Sequence, residues 1–163
     1  MNLREQHGYS YGARSAFTYL RDIGWFTASA GVHTDVTAPA TREVQLEVRK
    51  ISESPVSDDE MKLARQLLVG ALPARFQTTG QTVDALTEVV TYDLGLDYYN
   101  SYARKVLAVT KQQVQDSAKK YLDPKKMVVV AVGDRKKIEP EMKTLGLGAI
   151  QVRDAEGKIV SRK

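Results

Sequence analysis

The chain has 163 residues, 42 % of them hydrophobic and 27 % charged, which suits one ordinary globular domain and excludes both a disordered chain and two full domains. Its net charge of +4 comes from 24 basic and 20 acidic residues interspersed along the sequence, a balance too mild to argue a nucleic-acid surface, and no apolar run approaches the roughly 18 residues of a membrane span. Cysteine is absent, so disulfides, thiolate metal sites and cysteine nucleophiles are excluded together.

Arg4 and Glu5 interrupt the N-terminus at once, so it does not read as a signal peptide. The expectation is a soluble chain whose compartment, cytoplasm or periplasm, is open. Leu3 to Gln6 are good helix formers, and Gly8 is the residue type that most easily takes the left-handed conformation ending a helix. Six residues are too few to nucleate a stable helix alone, so Met1 to Gln6 read as the end of a helix whose start is missing, as in a fragment. From Tyr9 to about Leu20 the pattern has period two and predicts a strand. Arg21 to Gly24 read as a turn, and a second strand from Trp25 to Val32 completes a hairpin. A helix reversing at Gly8 into that strand brings Arg4 near Tyr11. Taken alone, Arg4 equally complements a helix dipole and Tyr11 equally packs on a sheet.

A helix is expected from about Thr41, with Val44, Val48 and Ile51 as its stripe, broken by Ser52 to Val56. Ser57 and Glu60 have capping-box spacing and open a second helix, whose buried face is read as Met61, Ala64, Leu67, Leu68, Ala71 and Leu72. Its three early carboxylates suit a helix start better than a metal site. After the TTGQT interruption a third helix carries the stripe Val83, Leu86, Val89 and Val90. Tyr98, Tyr99 and Tyr102 lie on a short helix and read as packing, because no basic stripe runs among them. Thr110 and Gln113 form another capping box, for a helix burying Val114, Ala118, Tyr121 and Leu122. Met127 to Val132 is a continuous apolar, mostly β-branched run, expected as a strand buried on both faces at the centre of the sheet. Lys136 to Leu145 reads as a last helix with Pro140 in its first turn, and a tail follows with a short strand at Ile150 to Arg153. The Gly146-Leu147-Gly148 sequence lacks the setting of a dinucleotide fingerprint.

The run Leu3-Arg4-Glu5-Gln6-His7-Gly8-Tyr9-Ser10-Tyr11-Gly12 resembles the leucine-arginine-glutamate, glycine, tyrosine signature of the pitrilysin/insulinase family of zinc metallopeptidases, in the group that includes mitochondrial processing peptidase. The resemblance continues through Pro55, Ser57, Glu60 and Ala64 and through the apolar run ending at Gly133 and Asp134, so it covers nearly the whole chain. It implies the half-domain that does not bind zinc. The implied fold is α+β, an antiparallel or mixed sheet with several helices packed on one face, over residues 1–148, with residues 149–163 as a tail. The signature lies inside that half-domain in the family, so the first strand and helix start are missing here.

The chain has only His7 and His33, and neither begins the H-x-x-E-H pattern that supplies two zinc ligands and a general base. No cofactor is therefore expected in this chain, and alone it should be inert. By resemblance, Arg4 and Tyr11 correspond to an arginine and a tyrosine that reach a substrate carbonyl held at the zinc of a partner half-domain or subunit. A guanidinium and a phenol are donors suited to the oxyanion that develops when zinc-bound water attacks a peptide. Tyr9, two residues earlier on the same strand face, is a rival donor and a substrate-binding residue. The expected partners are a zinc-binding half-domain of the same family and an extended peptide substrate, with no nucleic acid and no membrane span. The alternative is a catalytically inactive assembly subunit in which Arg4 and Tyr11 are relics. Nucleic-acid binding through Lys119, Lys120, Lys125, Lys126, Arg135, Lys136 and Lys137 ranks well below both.

Overall fold

The structure, a computed structural model, describes residues 8–160. It is α+β, with six helices and one two-stranded antiparallel sheet among the described residues. Strands β1 (Ser10–Tyr19) and β2 (Gly24–Val32) form the predicted hairpin. The turn sits one residue earlier than the sequence suggests. The Leu20 N–H donates to the Ile23 carbonyl at 2.8 Å, so Arg21 and Asp22 make the loop and Gly24 already belongs to the strand. A Cβ on Gly24 would lie 3.0 Å from the Thr18 carbonyl oxygen across the hairpin, which is a packing reason for glycine there.

A single 3₁₀ turn, Thr34–Val36, leads into α1 (Thr37–Glu53). This helix starts four residues before the expected Thr41, because Pro39 falls in its first turn, where a missing N–H costs nothing. Val48 on the predicted stripe is buried. α2 (Asp58–Gly70) opens with the capping box in full: the Glu60 N–H donates to Ser57 Oγ at 3.2 Å, and the Ser57 N–H donates to the Glu60 carboxylate at 2.7 Å. α3 (Thr79–Thr91) is capped by Thr78, so part of the apparent interruption is its first turn. α4 (Tyr98–Ala108), α5 (Lys111–Tyr121) and α6 (Arg135–Thr144) follow. α5 carries the second predicted box, with the Gln113 N–H on Thr110 Oγ1 at 3.2 Å and the Thr110 N–H on Gln113 Oε1 at 2.8 Å.

The described residues gather into two compact units. One includes the beginning of β1, Ala28–Leu46 and the chain from Lys126 on; its buried residues are Ser10, Ala38, Ala40 and Ile138, and α6 packs on the Thr34–Val36 turn. The other contains Ser15–Thr27 and Glu47–Lys125, with Val48, Met61, Ala85, Val89, Ser101 and Ala118 buried. Within it α2 packs on α4, and α3 packs on the 3₁₀ turn Pro73–Phe76.

Several expectations are corrected. Of the α2 face only Met61 is buried, while Leu67 is 64 % exposed and Leu68 is exposed too. On α3 the inward positions are Ala85, Glu88, Val89 and Tyr92, so Val83, Leu86 and Val90 point outward. This face buries Ala85 and Val89, and its Glu88 carboxylate is held by Arg75 and Tyr99. Tyr121 on α5 is also exposed. Residues 127–132 form neither helix nor strand, and Val128, Val130 and Val132 are 85, 81 and 95 % exposed. A continuous apolar run makes a central strand only where strands flank it, and no described residue pairs with this one. Pro140 is the sixth residue of α6, beyond its first turn. The tail holds one antiparallel bridge, Arg153 with Ile159, in place of a strand at Ile150 to Arg153.

Candidate functional site

The candidate site is the entry to β1. Arg4 and the helix expected before it lie outside the described residues. Gly8 is described and has φ of +63°, the left-handed conformation expected of a helix-ending glycine. A Cβ there would meet nothing within 4 Å, so the demand for glycine is conformational. Tyr9 stands half-buried just ahead of the strand. Tyr11 is the second residue of β1; its side chain lies outside what is described.

Between the two tyrosines sits a residue the sequence reading missed. Ser10 is buried, and its Oγ accepts the Gly12 N–H at 3.0 Å and donates to the Gly12 carbonyl at 2.7 Å. This hydroxyl clip spans Tyr11 and fixes the backbone on both sides of it. The signal was available in principle: serine side chains readily bond backbone groups two residues on.

A second polar constellation lies at the junction of α3, α4 and the Pro73–Phe76 turn. The Arg75 guanidinium donates to the Glu88 carboxylate and lies 5.5 Å from the Tyr99 ring centre. The Tyr99 hydroxyl donates to the same carboxylate at 3.0 Å. Burial, followed by the Glu88 carboxylate, pushes the Tyr99 phenol up to about 12, so it stays a donor at any physiological pH. Phe76, Tyr98, Tyr99 and Tyr102 pack ring on ring with centres 5.0–6.4 Å apart. Rings spent on one another do not form an open stacking platform, in line with the packing role read from the sequence.

An open groove of about 340 Å³ between α2 and α4 is lined by Lys62, Arg65, Gln66, Val69, Gly70 and Leu107. Arg65 Nη2 donates to the Val109 carbonyl at 2.6 Å, which ties the end of α4 to α2. His33 is exposed ahead of the 3₁₀ turn. Among the described residues no group of three His, Cys, Asp or Glu side chains could hold a metal ion, and no helix is long and apolar enough to cross a membrane.

Compared with known protein families and with curated proteins, the sequence matches none. Among solved structures the chain is similar to the crystal structure of a peptidase M16 inactive domain from Pseudomonas fluorescens, with a TM-score of 0.68 and 23 % identity over 76 % of this chain. The match covers 29 % of that chain, so this chain spans less than a third of its neighbour's length. At that identity the likeness is one of fold.

Proposed function

We propose that this chain is the zinc-free half-domain of a pitrilysin/insulinase-type zinc metallopeptidase of the processing-peptidase kind. The observation that carries the reading is the fold shared with a peptidase M16 inactive domain over 76 % of the chain. The family signature around Arg4 and Tyr11 supports it independently, since it comes from residue identities and not from shape. In this reading the chain binds an extended peptide and presents Arg4 and Tyr11 to the scissile carbonyl. Zinc on a partner half-domain or subunit of the same family supplies the activated water. Arg4 and Tyr11 donate hydrogen bonds to the carbonyl oxygen as it gains negative charge, and Ser10 holds the backbone that carries Tyr11.

The test begins with capture of the tagged chain from its source, with mass spectrometry and zinc analysis of what accompanies it. A zinc-loaded chain carrying H-x-x-E-H is expected, and the mixed pair should cleave a fluorogenic peptide that neither cleaves alone. Arg4→Ala and Tyr11→Phe in this chain should each lower kcat by about two to three orders of magnitude, as loss of an oxyanion donor does. If Tyr9→Phe has that effect and Tyr11→Phe does not, Tyr9 is the donor. Full activity in all three variants would make the chain an assembly subunit, and recovery of no zinc-loaded partner would remove the peptidase reading.

A further inference from the structure

Among the described residues one buried side-chain polar atom lacks a hydrogen-bond partner, and it is Arg65 Nε. Arg65 is half-buried on α2. Its Nη2 donates to the Val109 carbonyl at 2.6 Å, a neutral acceptor, and no described carboxylate forms an ion pair with it. Lys62, one turn earlier, has no carboxylate partner among the described residues either. A guanidinium has five N–H donors and a fixed charge, so a half-buried one held by a single neutral acceptor is short of an anion.

The same arginine lines the groove between α2 and α4. Lys62, Arg65, Gln66, Val69 and Gly70 recur at helical spacing and share one face of α2, and Leu107 forms the wall from α4. α2 packs on α4, and all six residues belong to one compact unit, so the groove is built within that unit. Charge lies towards the start of α2, and Val69 with the bare backbone of Gly70 lies towards its end. A Cβ on Gly70 would meet nothing within 4 Å, so the space beside it is open. The volume of about 340 Å³ is at the small end of the range of sites that take small molecules.

We infer that this groove binds an aliphatic monocarboxylate of medium chain length, its head group on Arg65 and Lys62 and its chain along Val69, Gly70 and Leu107. A carboxylate matches the fork of a guanidinium, whose Nε–H and one Nη–H lie parallel. As the guanidinium turns into the groove, water takes its place on the carbonyl of Val109, which is exposed. The apolar wall then selects for a chain behind the head group. The inference stands apart from the peptidase reading, because it uses neither Arg4 nor Tyr11 nor zinc.

The probe is octanoate, with acetate and octan-1-ol as controls, titrated into the whole chain and followed through its amide shifts by proton–nitrogen NMR. Octanoate should saturate with a Kd of about 1 mM or tighter, and the shifts should centre on residues 62–70 and on Leu107. Acetate should bind at least about tenfold more weakly, because each buried methylene contributes about fourfold. Octan-1-ol, which keeps the chain and lacks the charge, should also lose about tenfold or more. Arg65→Gln should weaken octanoate about tenfold, and Gly70→Leu, which fills the groove, should do the same. Gly70 has no left-handed backbone and open space beside it, so Gly70→Leu should keep the fold, as circular dichroism checks. Absence of saturable shifts at about 10 mM octanoate, or shifts spread evenly over both units, would overturn the inference. So would equal binding of octan-1-ol, or undiminished binding of octanoate by Gly70→Leu.

Discussion

The Tyr99 hydroxyl donates to the Glu88 carboxylate at 3.0 Å, and this bond ties α4 to the inward face of α3. The acid is held from a second side by Arg75, so the half-buried charge is paired and hydrogen-bonded together.

Tyr99→Phe should therefore destabilise the unit by about 1 kcal/mol, the scale of a hydrogen bond to a charged group discounted for its partial solvent access. The pH dependence follows in sign. The folded phenol titrates near 12 against an ordinary 10.0, so its contribution is complete below about 10 and is lost as pH rises through about 12. An ultraviolet titration of tyrosinate should lose its latest-titrating group in Tyr99→Phe, while Tyr98, which burial also raises, still titrates late. An ordinary midpoint for Tyr99 would contradict the bond.

The two capping boxes give a matched pair. Ser57→Ala and Thr110→Ala each remove a side-chain acceptor from a helix start and should each cost about 1 kcal/mol in denaturant unfolding. The Ser57 backbone N–H, helped by its hydroxyl, holds the Glu60 carboxyl below its ordinary 4.5. That contribution is present above the ordinary value and is lost as pH falls through the lowered one. Acid unfolding of Ser57→Ala should consequently be less pH-dependent than that of Thr110→Ala, whose box uses the neutral Gln113.

On α6 the Glu139 carboxylate lies between two cations one turn away on either side, Arg135 and Lys143, at 2.5 and 2.8 Å. Arg135 first and Lys143 second draw its pKa down to about 2. The stabilisation is present above the ordinary carboxylate value of 4.5 and fades as pH falls through about 2. A carbon-detected NMR titration should find the Glu139 carboxyl moving last among the glutamates, and Arg135→Gln should raise its midpoint. High salt should weaken the effect, because the group is near the surface.

How far the sequence revealed this molecule depended on the range of each interaction. Both capping boxes, the hairpin and the left-handed Gly8 were legible, since each needs residues no more than a few positions apart. The inward face of α3 was not, because it includes a carboxylate, Glu88, whose partners Arg75 and Tyr99 lie 13 residues before and 11 residues after it. The run 127–132 has the residues of a central strand, but pairing is a property of two segments, and no neighbour sits beside it among the described residues. Of the proposed site, Arg4 and Tyr11 come by resemblance and Tyr9 from its place on the same strand face as Tyr11. Ser10 was passed over because a serine between two tyrosines carries no periodicity of its own, and only geometry shows its hydroxyl closing on Gly12.

That clip gives the last prediction. Ser10 is 8 % exposed but its partner Gly12 is exposed, so after Ser10→Ala water can reach the Gly12 N–H and carbonyl, the cost is about 1 kcal/mol, and exchange of the Gly12 amide should quicken. If the clip positions Tyr11 for the substrate carbonyl, kcat of the pair reconstituted with the zinc partner should drop roughly tenfold to a hundredfold with KM little changed, as misplacement of a catalytic group does. Ser10→Thr, which keeps the hydroxyl, should recover most of that loss. A Ser10→Ala chain that is destabilised yet fully active in the pair would confine the clip to holding the start of β1, and Tyr11 would then owe its position to other contacts.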